Sequence, residues 1–201
     1  VEHATEGGHH LGEQITSLTS HGPWFLTHAW LIFLNPTISY FLILFFGKKL
    51  PKKSHEIGIA SIIAVLAYAG AAAYQWINNA AEATVYGQSY TWLRFGDLKL
   101  QVGTHIDGIA VMMMVVVGII SCLVHIYSTA YLKDDVRYTH YYAALSLFTA
   151  SMMLLVVANN TLQLLAGWEL VGLCSFMLIG HWWEDKANSN AALKAFFTTR
   201  F

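Results

Sequence analysis

The feature that most constrains this chain is a series of five apolar segments, each roughly as long as a bilayer is thick. They run over about 28–46, 57–77, 108–131, 141–157 and 162–183. A helix needs about 20 predominantly apolar residues to cross the hydrocarbon core. Because only helices and closed barrels satisfy their backbone hydrogen bonds inside lipid, the pattern predicts an all-α polytopic membrane protein with five complete transmembrane helices.

Composition supports the same fold class. Hydrophobic residues make up 56% of the 201 residues and charged residues only 11%, whereas a soluble domain carries about 25% charged residues. The net charge of −1 and the lack of a basic stripe argue against a nucleic-acid partner. Cys122 and Cys174 lie inside apolar segments, so neither a disulfide framework nor a cysteine metal site is predicted.

We divide the chain into four regions. They are a polar extramembrane tail (1–27), transmembrane helices 1 and 2 (28–77), an extramembrane loop (78–107), and helices 3 to 5 with the start of a sixth near Ala191 (108–201). In the loop, residues 90–102 alternate apolar and polar on either side of Gly96-Asp97, which predicts a short β-hairpin. The chain begins at Val1 rather than Met and ends at Phe201 inside an apolar stretch, so we expect a longer polypeptide.

The N-terminal tail combines histidine with glutamate. Its titratable residues are Glu2, His3, Glu6, His9, His10, Glu13 and His21. A metal clip and a solvated tail both fit this composition, but the spacing matches no defined zinc pattern. A solvated tail is the favoured interpretation.

Lysine and arginine are distributed unequally between the two sides. One side collects Lys48, Lys49, Lys52, Lys53, Lys133, Arg137 and Lys186, and the other keeps Arg94 and Lys99. Because cytoplasmic loops carry the excess of Lys and Arg, the tail and the hairpin are predicted to face the periplasm or its equivalent.

Glu169 is the outlier of the fifth segment. A carboxylate at the bilayer centre costs about 2.5–3.5 kcal/mol on insertion scales, so it must be neutral or face a cation within the bundle. Either state suits a group that carries protons. A helix-packing contact without any transport role is the alternative.

The surroundings of Glu169 sharpen that hypothesis. Gly167 and Gly172 flank it and leave room for a neighbouring helix or for water. The short connection 158–161 predicts that helices 4 and 5 pack as an antiparallel pair. Hydroxyl groups of helix 4 are then available to bond across the interface, or to line a water path, with bonding between the helices favoured. They belong to Ser146, Thr149 and Ser151.

Four further residues are weaker candidates for proton transfer. His125 is either a proton relay or a core histidine satisfied by a backbone carbonyl. Asp107 is a helix cap first and a proton-uptake residue second. Lys194 and Arg200 either extend to water or point inward and pair with carboxylates beyond Phe201.

Three motifs together resemble the antiporter-like subunits of respiratory complex I. They are His125-Ile-Tyr-Ser128 with Tyr131-Leu-Lys-Asp-Asp135, then Leu145-Ser-Leu-Phe-Thr-Ala-Ser151, then Gly167-Trp-Glu-Leu-Val-Gly-Leu-Cys-Ser-Phe-Met-Leu-Ile-Gly180 with Lys194-Ala-Phe-Phe-Thr-Thr-Arg200. The last pair is similar to the L-type subunit, called chain 5 in mitochondria. The resemblance covers residues 90–201 well and the first two helices only in pattern.

The resemblance implies a proton-translocating membrane-arm subunit of an NADH–quinone oxidoreductase, with 108–201 as the start of an antiporter-like proton-channel domain. In the family, the glutamate at the Glu169 position works with a lysine on a later helix, which would lie beyond Phe201. Leu170 stands where a small residue commonly follows that glutamate, so we expect only a change in packing.

Redox chemistry is expected in partner subunits. The chain has neither a Gly-x-Gly-x-x-Gly motif nor a cysteine cluster, so FMN, iron–sulfur clusters and quinone are expected elsewhere, with no cofactor or metal in this chain. Expected partners are the lipid bilayer and other membrane-arm subunits, especially neighbouring antiporter-like ones. The bacterial inner membrane is the first expectation for location, with an organellar inner membrane second. A subunit of a multisubunit Na⁺/H⁺ antiporter or of a membrane-bound hydrogenase-type complex is the alternative, and a purely structural module is the third possibility.

Overall fold

A computed structural model describes residues 22–47, 55–79, 85–95, 98–133 and 135–200. Most of the tail, including its histidines and glutamates up to His21, lies outside these ranges, as do Gly96-Asp97 and the lysines at 48–53. The elements are α1 (Trp24–Thr27), α2 (Leu31–Phe46), α3 (His55–Asn79), β1 (Tyr86–Phe95), β2 (Leu98–Ile106), α4 (Gly108–Tyr131), α5 (Tyr138–Val156), α6 (Thr161–Ile179) and α7 (Lys186–Thr198).

Among the residues that the structure describes, four helices, α3 to α6, are long and apolar enough to cross a membrane. The prediction of a mostly helical membrane protein with a small hairpin is therefore confirmed. The first predicted span is the shorter helix α2, which has 16 residues and contains Pro36. Helix α4 begins and ends at the same residues as the predicted third segment, 108 and 131.

Side-chain caps fix where three of the helices begin. A carboxylate or amide oxygen before the first turn accepts from a backbone N–H that has no partner inside the helix. Asp107 accepts from Ala110 N at 2.7 Å, and Asn160 accepts from Gln163 N at 2.8 Å. Asp185 caps α7 in the same way, so this helix begins five residues before the predicted position near Ala191.

The end of α6 differs from the prediction. The helix ends at Ile179, and Gly180 N–H bonds back to Phe176 O at 3.0 Å. The predicted segment continued to about Trp183 because Trp182 and Trp183 are apolar. These two residues instead lie in the turn that leads to α7.

The hairpin is longer than the predicted 90–102. β1 and β2 pair antiparallel from Tyr86 opposite Ile106 to Phe95 opposite Leu98, with one irregularity between Thr91 and Leu93. The sheet packs against the α5–α6 connection: His105 N–H bonds to Val157 O at 3.0 Å. We call this end of the bundle, formed by residues 85–95, 98–107 and 157–160, the hairpin end.

The other end of the bundle carries residues 132–133, 135–137 and 180–185, and we call it the loop end. Buried side chains fill the interior between the two. One apolar cluster lies towards the hairpin end and includes Leu26, Val65, Ile106, Met114 and Met153. A smaller cluster lies towards the loop end and is formed by Ile43, Leu132, Tyr138, Tyr142 and Ala143.

Candidate functional site

Glu169 lies two turns inside α6 and forms an ion pair with Arg200. The carboxylate contacts one terminal nitrogen of the guanidinium, and the other terminal nitrogen donates to Glu169 O at 3.1 Å. The side chain of Arg200 is 18% exposed and that of Glu169 is 46% exposed. One arginine therefore holds both the carboxylate and the backbone carbonyl of the same residue.

Helix α7 places Arg200 beside Glu169 because it packs along α6. The rings of Phe176 and Phe196 meet edge to face at 5.5 Å between centroids. The guanidinium of Arg200 lies 4.4 Å from the centroid of Phe196, in the position of a cation–π contact. Trp168 Nε1 donates to Thr199 O at 3.3 Å and adds a bond between the two helices.

The two glycines near Glu169 serve different neighbours. A Cβ atom on Gly172 would lie 3.2 Å from Arg200 Nη2, so the missing side chain makes room for the guanidinium. A Cβ atom on Gly167 would lie 3.0 Å from the Cα and N atoms of Leu155, so this glycine permits close approach of α5. The predicted space for a neighbouring helix is confirmed at Gly167, and at Gly172 the space holds an arginine.

The other predicted residues are not brought to Glu169. Asp107 lies at the hairpin end as the cap of α4. His125 is fully buried within the bundle, with Nδ1 2.8 Å from Ser121 O, which matches the expectation of a backbone carbonyl partner. Lys194 is exposed on α7. The expectation for Arg200 was wrong in its partner, since the carboxylate that it pairs with lies within this chain.

Of the three hydroxyl groups of α5 expected to bond to α6, that of Ser151 does so, through the thiol of Cys174, and those of Thr149 and Ser146 do not. Thr149 Oγ1 lies 3.2 Å from Ser121 Oγ on α4 and 3.2 Å from Leu145 O of its own helix. Ser151 donates to Leu147 O of its own helix at 2.7 Å. Ser146 Oγ is buried without a hydrogen-bond partner among the described residues. The polar contacts of α5 are therefore divided between α4 and α6.

A set of charged residues at the loop end was not identified from the sequence. Arg137 donates two hydrogen bonds to Glu184, at 2.8 and 2.9 Å, and lies over Trp183 at 4.0 Å. The carboxylate of Asp135 accepts from Arg137 N and from Trp182 Nε1. These contacts tie the α4–α5 connection to the α6–α7 connection. The run Trp182-Trp183-Glu184-Asp185 is the available signal in the sequence, but its two tryptophans fall within the predicted fifth segment.

The same contacts shift the protonation of the two acids. Burial raises the pKa of Asp135, but the hydrogen bonds from Arg137 N and Trp182 Nε1, together with His181, lower it to a net value below the ordinary one. Hydrogen bonding from Arg137 lowers the pKa of Glu184. Both acids are therefore held in the charged form.

Comparison with known proteins places two parts of the chain in described families. Residues 92–142 match the family of the NADH-ubiquinone oxidoreductase (complex I) chain 5 N-terminus. Residues 158–201 match the transmembrane family of NADH:quinone oxidoreductases and Mrp antiporters. These two ranges contain Asp135, Glu169 and Arg200.

Individual relatives agree with these families. The chain is 40% identical over 172 residues to F420H2 dehydrogenase subunit L of Methanosarcina mazei, covering 86% of this chain and 25% of the relative. It is 39% identical over 180 residues to the chloroplastic NAD(P)H-quinone oxidoreductase subunit 5 of Anthoceros angustus, covering 86% and 24%. It is 32% identical over 186 residues to NADH-quinone oxidoreductase subunit L of Mycobacterium tuberculosis, covering 92% and 28%.

The fold is also found among solved structures. A chain of the archaeal membrane-bound sulfane sulfur reductase, a respiratory membrane complex, superimposes with a TM-score of 0.69 at 12% identity, covering 84% of this chain and 33% of that chain. The present chain spans about a quarter of the length of the curated relatives that it matches. The predicted resemblance to L-type subunits is confirmed by the family matches and by the relatives named subunit L.

Proposed function

Because this chain belongs to the L-type, or chain 5, group of antiporter-like membrane subunits, we propose that it translocates protons in the membrane arm of a respiratory quinone oxidoreductase. Glu169 is the residue that carries this function. The observation that supports the choice is its ion pair with Arg200 inside a membrane-spanning helix.

The ion pair gives the carboxylate two states. With Arg200 in contact, the negative charge of Glu169 is compensated, which removes much of the cost of holding it at that depth. When the guanidinium moves away or meets a competing anion, the carboxylate must take up a proton or find another cation. Movement of the Arg200 side chain therefore causes Glu169 to take up or release one proton.

We propose a division of labour with other subunits. Electron transfer takes place in partners that hold the flavin, the iron–sulfur clusters and the quinone, and this chain supplies part of the proton path. Neighbouring antiporter-like subunits are the proposed contacts within the membrane, and the bacterial inner membrane is the proposed location. The tail and the hairpin end are placed on the periplasmic side, in line with the lysine and arginine distribution.

We further propose that α2 also crosses the membrane, which brings the number of complete spans to five, and that α7 begins a sixth. The 16 residues of α2 cover about 24 Å as a helix, less than the roughly 30 Å of a hydrocarbon core. The apolar residues of α1 and the following Ala29 and Trp30 lengthen the apolar stretch. α2 also packs against α3 through Asn35, whose Nδ2 donates to Ser61 O at 3.1 Å.

A subunit of a sodium/proton antiporter is the second candidate. It is favoured by the second family, which includes Mrp antiporters as well as quinone oxidoreductases. Assaying the purified native complex for electron transfer from NADH to quinone separates the two candidates. A complex that exchanges Na⁺ for H⁺ without any such reaction would support the antiporter.

The test of the proton path is Glu169→Gln in the assembled complex, with Glu184→Gln as the matched control. Both changes replace a carboxylate by an amide of the same shape, but Glu184 lies at the loop end outside the spans. Proton uptake is measured in inverted vesicles and divided by the rate of electron transfer. We expect Glu169→Gln to assemble and to pump far fewer protons per electron, and Glu184→Gln to pump normally. Normal pumping by Glu169→Gln would contradict the proposal.

A further inference from the structure

A second group of titratable side chains lies in the bundle, apart from Glu169 and Arg200. It consists of His55 on α3, Tyr138 and Tyr142 on α5, and His125 on α4, and we call it the histidine–tyrosine series. The ring centroids are 5.9 Å apart for His55 and Tyr138, 6.3 Å for His55 and Tyr142, and 6.0 Å for Tyr142 and His125. The series thus leads from the first residue of α3, at the loop end, to a residue inside α4.

His125 is fully buried, and only one of its ring nitrogens has a partner. Nδ1 lies 2.8 Å from Ser121 O. Since a carbonyl oxygen can only accept, Nδ1 carries the proton, and Nε2 of the neutral ring is an acceptor. Nε2 is buried without a hydrogen-bond partner in the part of the chain that the structure describes. A buried acceptor of this kind is unfavourable unless something donates to it.

Helix α3 approaches the Nε2 side of the ring closely at Gly58. A Cβ atom on Gly58 would lie 3.2 Å from Tyr142 Cδ1 and 3.6 Å from His125 Cδ2, which is bonded to Nε2. Gly58 follows His55 by three residues on α3, so both face the same side of the helix. Nδ1 of His55 is also buried without a partner among the described residues. Two unpartnered imidazole nitrogens therefore lie on the same side of α3.

The chemistry of these groups suits a proton better than a metal ion. Within the described ranges, no group of three His, Cys, Asp or Glu side chains is arranged to hold a metal. Tyr142 holds the backbone of α4 at His125, because its hydroxyl donates to His125 O at 2.7 Å, and its ring lies edge to face against the imidazole at 6.0 Å between centroids. The imidazole can take one proton on Nε2 while Nδ1–H remains bonded to Ser121 O.

We propose that His125 is a second proton-accepting site of this chain, reached from the loop end past His55 and held in place by Tyr142. One proton from water at the loop end binds to Nε2, and the neutral ring becomes an imidazolium. Loss of that proton returns the ring to its starting state. The inference rests on the proposed function, since it assigns part of the same proton transport to a site outside the Glu169–Arg200 pair.

The test compares His125→Gln with His125→Glu in the assembled complex. The two variants have side chains of the same shape, and only glutamate can hold and release a proton. Protons pumped per electron are measured in inverted vesicles, and the amount of complex is measured on native gels. We expect His125→Gln to lower the ratio several-fold and His125→Glu to retain a larger part of it. Wild-type pumping by His125→Gln, or equal loss in both variants, would overturn the proposal.

Two further variants keep the proposal testable if His125 variants do not assemble. His55→Gln changes a half-buried residue at the end of α3, and we expect slower proton uptake with normal assembly. Tyr142→Phe should lower pumping below the wild-type ratio, whereas Tyr127→Phe, which removes a hydroxyl from a 66% exposed residue of the same helix as His125, should have no effect. Unchanged uptake in both His55→Gln and Tyr142→Phe would overturn the proposed route.

The outcome for Glu169 separates the two proposals. If Glu169→Gln abolishes pumping and His125→Gln pumps normally, only the second site is wrong. If Glu169→Gln pumps normally, the proposed function of the chain fails, whatever the histidine variants show.

Discussion

At the scale of single residues, Arg200 is the ion-pair partner of Glu169. It binds the carboxylate and the backbone carbonyl of one residue, which a lysine cannot reproduce because its ammonium is a single point charge. The two contacts hold the end of α7 against the middle of α6. The position of Arg200 therefore influences both the charge of Glu169 and the packing of the two helices.

We expect Arg200→Gln to impair pumping more than Arg200→Lys, because lysine keeps the positive charge and glutamine loses it. The double variant Glu169→Gln with Arg200→Gln should assemble better than Arg200→Gln alone, since it leaves no unpaired charge in the membrane. Assembly is measured on native gels and pumping in vesicles. Arg200→Gln with normal pumping would show that the ion pair has no part in transport.

The sequence identified Glu169 but not its partner. A carboxylate inside an apolar segment is conspicuous in the sequence, because the cost of placing such a group in a membrane is large and local to one residue. Arg200 is 31 residues away, and its orientation depends on how α7 crosses α6, which no local pattern encodes. Gly172 was the available signal, since a small residue one turn from a carboxylate leaves room for a large cation.

At the scale of elements, close contact between α5 and α6 depends on Gly167. A Cβ atom there would lie 3.0 Å from the backbone of Leu155, and backbone cannot move as a flexible side chain can. Gly70 on α3 offers a matched control, because nothing lies within 4 Å of the Cβ position there.

We expect Gly167→Ala to destabilise the bundle by about 1–3 kcal/mol, the usual range for overpacking. Gly70→Ala should be neutral or stabilising by up to about 1 kcal/mol, since alanine favours the helix. Thermal unfolding in detergent measures both. Equal stability of the two variants would show that α5 and α6 can separate without cost.

The helix bounds show what apolar patterning can and cannot predict. α4 was predicted at both ends because Asp107 supplies a cap and the apolar residues continue without interruption. The predicted fifth segment ends about four residues later than α6, because Trp182 and Trp183 are apolar side chains. In the structure, Trp182 donates a hydrogen bond to Asp135 and Trp183 lies beside Arg137. Because the polar partners of these tryptophans lie in a different connection, the sequence alone does not distinguish the two residues from the end of a membrane span.

The contacts between loops give the stability of the chain a dependence on acid. The pKa of Asp135 is lowered in the folded chain. At pH values between the lowered pKa and the ordinary carboxyl pKa, the folded state therefore binds fewer protons than the unfolded state. The stabilisation is therefore present above the ordinary carboxyl pKa of about 3.9 and is lost as the pH falls through the lowered value. We expect the unfolding temperature to fall below about pH 4, and to fall less steeply in Asp135→Asn. Identical pH profiles would contradict this.

At the scale of the whole molecule, the fold has two distinct ends. The hairpin end is held together by bonds such as Asn160 Nδ2 to Gln101 O at 2.6 Å, and the loop end by the contacts of Arg137 with Glu184. Because α4, α5 and α6 cross the bundle one after another, their connections alternate between its two ends. The α5–α6 connection therefore lies at the hairpin end, and the α4–α5 and α6–α7 connections lie at the loop end. The number of spans predicted from the sequence is enough to assign each connection to one end. It does not predict the hydrogen bonds that join the connections to each other.

We expect cysteines at the two ends to react with an impermeant thiol reagent from opposite sides of the membrane. Trp92 on β1 is 71% exposed and Val136 in the loop is fully exposed, so Trp92→Cys and Val136→Cys report on the two ends. The background carries Cys122→Ser and Cys174→Ser. With the hairpin end outside, Trp92→Cys should react in intact cells and Val136→Cys only in inverted vesicles. Reaction of both from one side would refute the topology.

The bond from Gly103 N–H to Gln163 Oε1, at 3.1 Å, joins the sheet to the helix that carries Glu169. Gln163 lies six residues, under two turns, before the glutamate, and a helix transmits displacement along its axis with little give. A force applied to the sheet by an adjoining subunit would thus arrive at the carboxylate as a small axial shift or rotation. The sheet is consequently joined to the helix that carries the proposed proton-transfer residue, in addition to covering one end of the bundle.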